Sequence, residues 1–249
     1  MAVLGIDFGG SGIKGALIDV EKGQLLGERL RLPTPEGGKP QEVAQVMKQL
    51  AEHFQWHGLV GCGFPAVVLH GVVQSAANID SSWVGMDANT LFRNQLDAEV
   101  HTVNDADAAG VAEMRFGVGR ELPRGVVVML TVGTGIGSAL FVDGHLVPNT
   151  EFGHLIVDGK DAERRASDAA RKRKQLSWEE WAKRFQRYLD VLNALIWPDV
   201  IIIGGGISKE PERFLPYLKS RAKIIPAQLQ NQAGMIGAAM FALESAQQQ

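Results

Sequence analysis

Two stretches of the chain each consist of an apolar strand, a glycine-rich turn and a second apolar strand. In the first, an apolar run over residues 3–6 ends at Asp7, and a second apolar run follows over residues 13–20. Glycines let a ligand approach the main chain, and such a turn can direct several N–H groups toward an anion such as phosphate. Asp7 is suited to hold a hydrated cation beside that anion. The residues of this predicted phosphate-binding hairpin are Asp7, Gly9, Gly10, Ser11, Gly12 and Lys14.

The second stretch, residues 131–143, repeats the first: Gly9 aligns with Gly133, and Asp19 with Asp143. Duplication of one folding unit is the simplest explanation. We therefore expect a hairpin from each half of the chain, facing the other across a cleft and holding a chain of phosphates. Either stretch alone is also typical of an ordinary glycine-rich hairpin. The predicted ligand-binding residues of the second hairpin are Thr131, Gly133, Thr134 and Gly135.

Length and composition exclude several classes of protein. The chain has 249 residues, 45% of them hydrophobic and 21% charged, which suits one large domain or two modest ones. A formal net charge of −3 does not favour nucleic acid as a partner. The single cysteine, Cys62, excludes an intramolecular disulfide and a cysteine-rich zinc site, and we expect it to be buried. No apolar run is long enough to span a membrane, and no leader precedes the first strand, so the expected location is the cytoplasm.

Strands and helices are predicted to alternate along the chain, which indicates an α/β protein. Helix-forming runs separate the apolar strands, and in the helix after Ser177 the residues Trp178, Trp181 and Phe185 are spaced for a buried face. Beyond the hairpins, we predict strands over residues 25–32, 59–64, 100–103 and 200–203, and helices over residues 41–54, 88–96, 106–114, 177–197 and 231–246.

Asn104 and Asp105 stand where a strand ends and a helix begins. In α/β folds such strand ends line the ligand crevice. A carboxylate there can take a proton from a substrate hydroxyl, and the adjacent amide can bind a second hydroxyl. The alternative is that Asp105 or Asp107 only caps the helix, an interpretation that we favour for Asp107.

Two shorter motifs follow the second hairpin. Glu151 and His154 share one face if their segment is helical, and together they suit a polyhydroxylated ligand. They could equally be ordinary surface groups. Gly204, Gly205 and Gly206 follow a buried strand and would let a nucleotide base or ribose lie close to the backbone.

Residues 160–174, here called the basic run, form the most charged part of the chain. If the run is one helix, Asp161, Arg165, Asp168 and Lys172 alternate in sign along one face and neutralise one another. A neighbouring face then has surplus positive charge, which is either simply solvated or a track for a polyanion. The cations of that neighbouring face are Lys160, Arg164, Arg171 and Lys174.

Taken in order, these motifs resemble those of the ROK family of sugar kinases, a branch of the hexokinase–actin–Hsp70 fold. The resemblance covers nearly the whole chain and implies an α/β, two-lobed ribonuclease H-like (actin-like ATPase) fold with duplicated mixed-sheet domains around a cleft. We expect a small lobe of residues 1–105 plus about 236–249, and a large lobe of residues 106–235. The resemblance also implies a homodimer and closure of the lobes on the sugar. The motifs that carry it are Asp7-x-Gly-Gly-Ser, Asn104-Asp105, Gly133-Thr134-Gly135-x-Gly137, Glu151-x-Gly153-His154 and Gly204-Gly205-Gly206.

The resemblance implies a role for each motif. Asp105 is the general base that takes the proton of the sugar 6-hydroxyl, and Asp7 positions Mg²⁺. The two hairpins and the glycines of residues 204–206 hold the phosphate donor. The implied sugar-binding residues are Asn104, Asp105, Glu151, His154 and Asn78.

Within the family, the chain most resembles the polyphosphate glucokinases, through residues 4–15, 149–154 and 197–199. Most ROK kinases carry a cysteine-rich zinc cluster after the Glu-x-Gly-His motif. This chain has the basic run in that place, and its single cysteine cannot build the cluster. The polyphosphate glucokinases also lack the cluster. The expected activity is therefore transfer of a phosphoryl group from inorganic polyphosphate, and also from ATP, to the 6-hydroxyl of glucose, without zinc.

We expect Lys14 and the basic run to bind the polyphosphate chain beyond a nucleotide-sized pocket. Neutralising Arg164 and Arg171 should then raise the apparent KM for long polyphosphate and hardly change that for ATP. Three alternatives stay open: a strictly ATP-dependent hexose kinase, an inactive sugar-binding sensor, and a ROK transcriptional repressor. The last would need a helix-turn-helix domain before Asp7, and only six residues precede it here.

Overall fold

The first glycine-rich stretch lies at the centre of a mixed β-sheet in the computed structural model, which describes residues 1–77, 79–122 and 124–247. This sheet belongs to the first of two compact units, formed by Met1–Ala112 and the segment from Gln232 onward; the second unit is Glu113–Asn231. The strands and helices that open the chain are β1 (Ala2–Gly9), β2 (Gly12–Asp19), β3 (Gln24–Leu25), β4 (Leu30–Leu32), α1 (Pro40–His53), β5 (Val60–Phe64), β6 (Val68–Leu69), β7 (Val72–Val73), α2 (Ala88–Leu96), β8 (Val100–Asn104) and α3 (Asp105–Phe116).

The first sheet has the order β3-β2-β1-β5-β8, with β4 also paired to β2. β1 and β2 form an antiparallel hairpin, whereas β5 and β8 run parallel to β1. The predicted continuous strand over residues 25–32 is wrong. It consists of β3 and β4, two short strands that pair with different parts of β2 and are separated by residues 26–29.

The second unit repeats this arrangement. Its sheet has the order β11-β10-β9-β14-β15, in which β9 and β10 form the hairpin and β14 and β15 run parallel to β9. The matching strand order confirms the predicted duplication. Its strands and helices are β9 (Val126–Val132), β10 (Ile136–Val142), β11 (His145–Val147), β12 (Ile156–Val157), β13 (Lys160–Asp161), α4 (Glu163–Ala166), α5 (Asp168–Arg173), α6 (Trp178–Ile196), β14 (Val200–Gly204) and β15 (Lys223–Pro226).

The chain then returns to the first unit with helix α7 (Ala233–Gln247), which packs on β1, β5 and β8. Glycines in the strands allow this close approach. A Cβ at Gly5 would lie 2.1 Å from the carbonyl oxygen of Met235, and one at Gly61 would lie 1.9 Å from that of Ala238. Leu4 and Ile6 point the other way and pack with α1 in the main core of the unit.

Helix α6 buries one apolar face in the core of the second unit. Ser177 and Glu180 form a capping box at its start. Trp181 and Phe185 are fully buried, and Trp178 is partly buried against the same core, which confirms the predicted apolar face. Among the described residues, no helix combines the length and the apolar character that a membrane span requires.

The basic run does not form a single helix, the condition under which its charge spacing was interpreted. Lys160 and Asp161 form strand β13, and the run continues as two short helices, α4 and α5. Ser167 separates them with extended backbone (φ −68°, ψ 160°), and its hydroxyl accepts a hydrogen bond from the N–H of Ala170 at 3.1 Å. The hydroxyl therefore caps a new helix where the charge pattern suggested a continuous one.

Candidate functional site

The turn of the first hairpin consists of Gly10 and Ser11, between the paired residues Gly9 and Gly12. The hydroxyl of Thr34 donates to the carbonyl oxygen of Gly9 at 2.6 Å and fixes the loop that follows β4 against the hairpin. A cavity of about 350 Å³, a volume within the range of small-molecule sites, opens beside this turn. It is lined by Gly10, Thr34, Pro35, Gly37, Gly38, Ile79 and Asp80. The predicted sugar-binding residue Asn78 lies outside the described residues.

Asp7 lies near the carboxyl end of β1, opposite Lys14 on β2. The Lys14 ammonium donates to Asp7 Oδ2 at 2.8 Å, and the two side chains keep 25% and 18% of their surface exposed. The start of α7 also faces this carboxylate, since a Cβ at Gly234 would lie 2.9 Å from Asp7 Cγ. The positive end of the helix and the ammonium together compensate the charge of Asp7.

The parallel strands bring Asp7 and Asp105 to the same edge of the sheet. Asp7 pairs with Gly63 on β5, and Gly63 pairs with Val103 on β8, two residues before Asp105. A Cβ at Gly63 would lie 3.7 Å from the Cα of Asp105. Asp105 is the first residue of α3 and is half-buried, so a carboxylate stands at the strand end where the sequence predicts a general base.

Asn104, not Asp107, caps helix α3. Its Oδ1 accepts hydrogen bonds from the N–H groups of Ala106 at 2.9 Å and of Asp107 at 3.1 Å. Its Nδ2 donates to the carbonyl oxygen of Ala66 at 3.1 Å. Asn104 therefore fixes the direction in which α3, and with it Asp105, leaves the sheet.

The second hairpin has a three-residue turn of Gly133, Thr134 and Gly135. Gly133 N–H donates to the carbonyl oxygen of Gly135 at 2.9 Å, and the carbonyl oxygen of Gly133 accepts from Ala169 N–H at 3.0 Å. Thr131 lies beside this turn on β9 and pairs with Gly204 on β14.

The carboxylate of Glu163 binds the backbone beside the turn of the second hairpin. Its Oε2 accepts from the N–H of Ile136 at 2.9 Å. Gly135 has no room for a side chain, because a Cβ there would lie 2.2 Å from the same oxygen. The sequence pattern did not indicate this role, since Glu163 is more than twenty residues away from the turn.

In the glycine triplet of residues 204–206, backbone geometry explains why residue 205 is glycine. Gly205 has a positive φ of 78°, and a Cβ there would lie 2.5 Å from the backbone of Val132. A side chain is therefore excluded by local geometry alone. A Cβ at Gly206 would have nothing within 4 Å, so this residue leaves open space where a ligand could approach.

The Glu-x-Gly-His motif forms a short 3₁₀ turn, Phe152–His154, rather than part of an α-helix. Gly153 presses against β10, where a Cβ would lie 1.9 Å from the carbonyl oxygen of Ile136, and Ser138 Oγ accepts from Phe152 N–H at 2.9 Å. The turn still brings the two polar side chains together: His154 Nε2 lies 3.7 Å from Glu151 Oε2.

Asp161 completes this polar cluster and was not predicted to do so. Its Oδ2 lies 2.8 Å from His154 Nδ1, and this hydrogen bond raises the pKa of His154 against the opposing effect of burial. Burial also raises the pKa of Glu151, which the charge of His154 only partly offsets. Burial would raise the pKa of Asp161 too, but the bonds from His154 and from the Arg164 N–H hold it below its usual value. The cluster thus favours the protonated imidazolium, whose Nδ1 donates to Asp161 while Nε2 lies near the Glu151 carboxylate without a hydrogen bond.

The raised pKa of His154 predicts a pH-dependent contribution to stability. This contribution is fully present below the unfolded-state pKa of about 6.5 and is lost as the pH rises through the higher folded-state pKa. Asp161→Asn should therefore destabilise the protein more at about pH 6 than at about pH 9 and should lower the His154 pKa, which NMR of the ring protons measures. Asp190→Asn, an exposed acid in the same unit, serves as the control. A His154 pKa that is the same in both variants would contradict the assignment.

The structure places the cations of the basic run in different surroundings. Lys160, Arg164 and Lys174 are exposed. Arg171 is less available to bind an anion. Its Nε donates to Asp168 Oδ1 at 2.9 Å, and its guanidinium lies 4.0 Å from the centre of the Trp178 ring. The pairing of Asp161 with Arg165 that a single helix would allow is absent from the described contacts, since Asp161 binds His154 and Arg165 binds Asp158.

The predicted burial of Cys62 is confirmed. Its side chain is fully buried in β5, and burial, with a smaller effect from the charge of Asp7, raises the pKa of its thiol. A thiol in this state is chemically inert.

The chain is similar in sequence and structure to sugar kinases of one family. Residues 3–167 match the profile of the ROK family. A polyphosphate glucokinase of Mycobacterium tuberculosis is 48% identical over 237 residues, which cover 95% of this chain and 89% of the relative. An inorganic polyphosphate/ATP-glucomannokinase from Arthrobacter sp. has a crystal structure that superposes with a TM-score of 0.93 at 46% identity, covering 100% of this chain and 99% of the other.

A more distant solved structure supports the fold. It is a ROK family glucokinase from Streptomyces griseus in complex with glucose and AMPPNP, with a TM-score of 0.81 at 24% identity over 98% of this chain and 100% of the other. The mixed sheets and their repeated strand order are those of the actin-like ATPase fold that these kinases share. The chain belongs to the ROK family.

Proposed function

We propose that this chain is a polyphosphate glucokinase that also accepts ATP, and that it transfers a phosphoryl group to the 6-hydroxyl of glucose. The observation that carries the proposal is the 48% identity with the Mycobacterium tuberculosis polyphosphate glucokinase, because it extends over 95% of this chain. The Arthrobacter glucomannokinase, 46% identical over the whole chain, supports both donors and makes mannose the second sugar to test.

In the proposed reaction, the carboxylate of Asp105 accepts the proton of the 6-hydroxyl as its oxygen attacks the terminal phosphorus of the donor. The bond between that phosphorus and the bridging oxygen breaks, and the shortened polyphosphate or ADP leaves. Phosphoryl transfer depends mainly on positioning and charge neutralisation, so a single base at a rigid strand end is sufficient protein chemistry. Asn104, Glu151 and His154 bind the other hydroxyls, with Asn78 as a further proposed ligand. The hydrogen bond from Ala106 N–H to Asn104 Oδ1 fixes the start of α3 and with it the base.

Asp7 fits a role in Mg²⁺ binding. Mg²⁺ usually takes one or two carboxylates and completes its shell with water and substrate phosphates. Asp7 supplies one partly exposed carboxylate next to the phosphate hairpin. Within the described ranges, no group of three or more His, Cys, Asp or Glu side chains forms a dedicated metal centre. When bound, Mg²⁺ would neutralise charge on the donor phosphates.

The donor is proposed to bind at both hairpins and at the glycines of residues 204–206, and a long polyphosphate to extend along exposed cations of the basic run. Lys174 lies at the centre of such a group. Partial desolvation of its exposed ammonium lowers its pKa, and the positive charges of Arg184, Arg173, Lys160 and Arg165 lower it further. Arg171 contributes less to this track than the sequence predicts, because Asp168 neutralises it. The proposed track is Lys160, Arg164 and Lys174, with Arg184 as an addition from α6.

The test is glucose 6-phosphate formation with Mg²⁺ and either nucleotide-free polyphosphate or ATP, repeated with mannose. Turnover with polyphosphate is the expected result. Turnover with ATP alone would identify a strictly ATP-dependent kinase, and no turnover with either donor would favour a sugar-binding sensor.

The same assay tests the track. Replacing Lys160 and Lys174 with alanine should raise the apparent KM for long polyphosphate by about three- to tenfold, since surface charges each contribute modestly, and should leave that for ATP unchanged. Lys219→Ala with Lys223→Ala, two exposed lysines elsewhere in the same unit, is the matched control. An equal rise for both donors would contradict the track.

The lobe boundaries, about residues 1–105 with 236–249 and 106–235, stay a proposal, as do a homodimer and a cytoplasmic location.

A further inference from the structure

A row of three charged residues crosses the first sheet beside the phosphate hairpin. Strand register places Lys14 on β2 directly opposite Asp7 on β1 and directly opposite Arg31 on β4. Residues that face each other in this way project from the same side of a sheet. The row therefore presents a carboxylate, an ammonium and a guanidinium side by side.

Arg31 reaches from this row into the hairpin turn. Its Nη2 donates to the carbonyl oxygen of Ser11 at 2.6 Å and lies 3.3 Å from Ser11 Oγ. The guanidinium occupies the place that a side chain at residue 12 would take, because a Cβ at Gly12 would lie 2.5 Å from Arg31 Nε and Cζ. The absence of a side chain at Gly12 thus leaves room for the guanidinium of Arg31 beside the turn.

The charges in this row do not balance, because two cations stand beside one carboxylate. Like charges directly opposite each other destabilise a sheet, and Lys14 and Arg31 are such a pair. Asp7 binds Lys14 and compensates one of the two positive charges. Arg31 is exposed, and its Nε and Nη1 donate no hydrogen bond to any residue that the structure describes. An anion bound beside the turn would remove the repulsion and use these donors.

We propose that Arg31 is a donor-binding residue: together with Lys14 it binds a phosphate group of the donor, while its bond to Ser11 holds the turn in place. This inference rests on the proposed glucokinase function for the identity of the anion. The fork of guanidinium N–H groups matches phosphate oxygens in a bidentate arrangement that an ammonium cannot reproduce. Because the site lies at the first hairpin, it serves polyphosphate and ATP alike, unlike the track in the basic run.

The test compares Arg31→Ala, Arg31→Lys and the control Arg29→Ala, an exposed arginine two residues away. Arg31→Ala should raise the apparent KM for both donors about tenfold or more, as loss of a charged hydrogen-bond donor does, with the KM for glucose unchanged. Arg31→Lys should recover part of this loss, and Arg29→Ala should behave as the wild type.

Calorimetric binding of tripolyphosphate in the presence of glucose provides a readout that needs no turnover. The wild type and Arg29→Ala should bind it, and Arg31→Ala should bind it at least about tenfold more weakly. Failure of the wild type to phosphorylate glucose would count against the proposed function while leaving this binding comparison intact. Equal tripolyphosphate affinity in Arg31→Ala and Arg29→Ala, no binding by the wild type, or equal changes in the KM for glucose and donor would overturn the assignment.

Discussion

Asp105→Asn should lower kcat for glucose phosphorylation by about 10²- to 10⁴-fold, the usual contribution of a general base. The asparagine side chain has the same shape as aspartate and can still accept a hydrogen bond, but it cannot take the proton of the 6-hydroxyl. Glucose affinity, measured by calorimetry, should change only a few-fold, because Asn104 continues to fix the start of α3 through Ala106 and Asp107.

Two further variants make this result specific. Asp105→Glu keeps a carboxylate but displaces it by one methylene group, so it should retain more activity than Asp105→Asn if proton transfer is the lost step. Glu121→Gln, an exposed acid in the second unit, should leave kcat unchanged. An Asp105→Asn protein that keeps more than a tenth of the wild-type kcat would remove Asp105 from the role of base.

Gly61→Ala should be the most destabilising small substitution in the first sheet. A Cβ at this position would lie 1.9 Å from the carbonyl oxygen and 2.3 Å from the carbonyl carbon of Ala238 in α7. Both are backbone atoms, so the whole helix must move away from β5. Overpacking of this kind costs about 1–3 kcal/mol, which corresponds to a fall in Tm of about 2–12 °C for a chain of this size.

Gly27→Ala is the matched control, because a Cβ there would have nothing within 4 Å and the residue lies in the same unit. Thermal unfolding of the two variants by circular dichroism measures the difference. Equal Tm values would mean that α7 does not pack on β5 as closely as described here.

The sequence predicts the elements that depend on local pattern. The two hairpins, the helix with Trp181 and Phe185 on its buried face, and the strand-to-helix junction at Asp105 follow from periodicity, glycines and capping residues. The common strand order of the two sheets follows from the internal repeat. These features need only neighbours in the chain or a comparison of one half with the other.

Contacts between distant residues could not be predicted in this way. Asp161 would face Arg165 only if the basic run were one helix, but it binds His154 instead because Lys160 and Asp161 form strand β13. Ser167 before Asp168 was a readable capping signal that would have divided the basic run. No local sequence pattern indicated that Arg31 lies beside Lys14, because this position depends on the pairing of β4 with β2.

The position of α7 in the chain affects how the protein is made. The helix covers β1, β5 and β8, yet it follows the whole second unit in the sequence. Domains generally fold in the order in which the ribosome releases them. Here the N-terminal strands leave the ribosome first but lack their covering helix until residues after 231 have been translated. The second unit, Glu113–Asn231, is continuous in sequence and can fold earlier. Until translation passes that point, the face of the first sheet that holds Gly5 and Gly61 stays uncovered, and chaperones that bind nascent chains would find their substrate there.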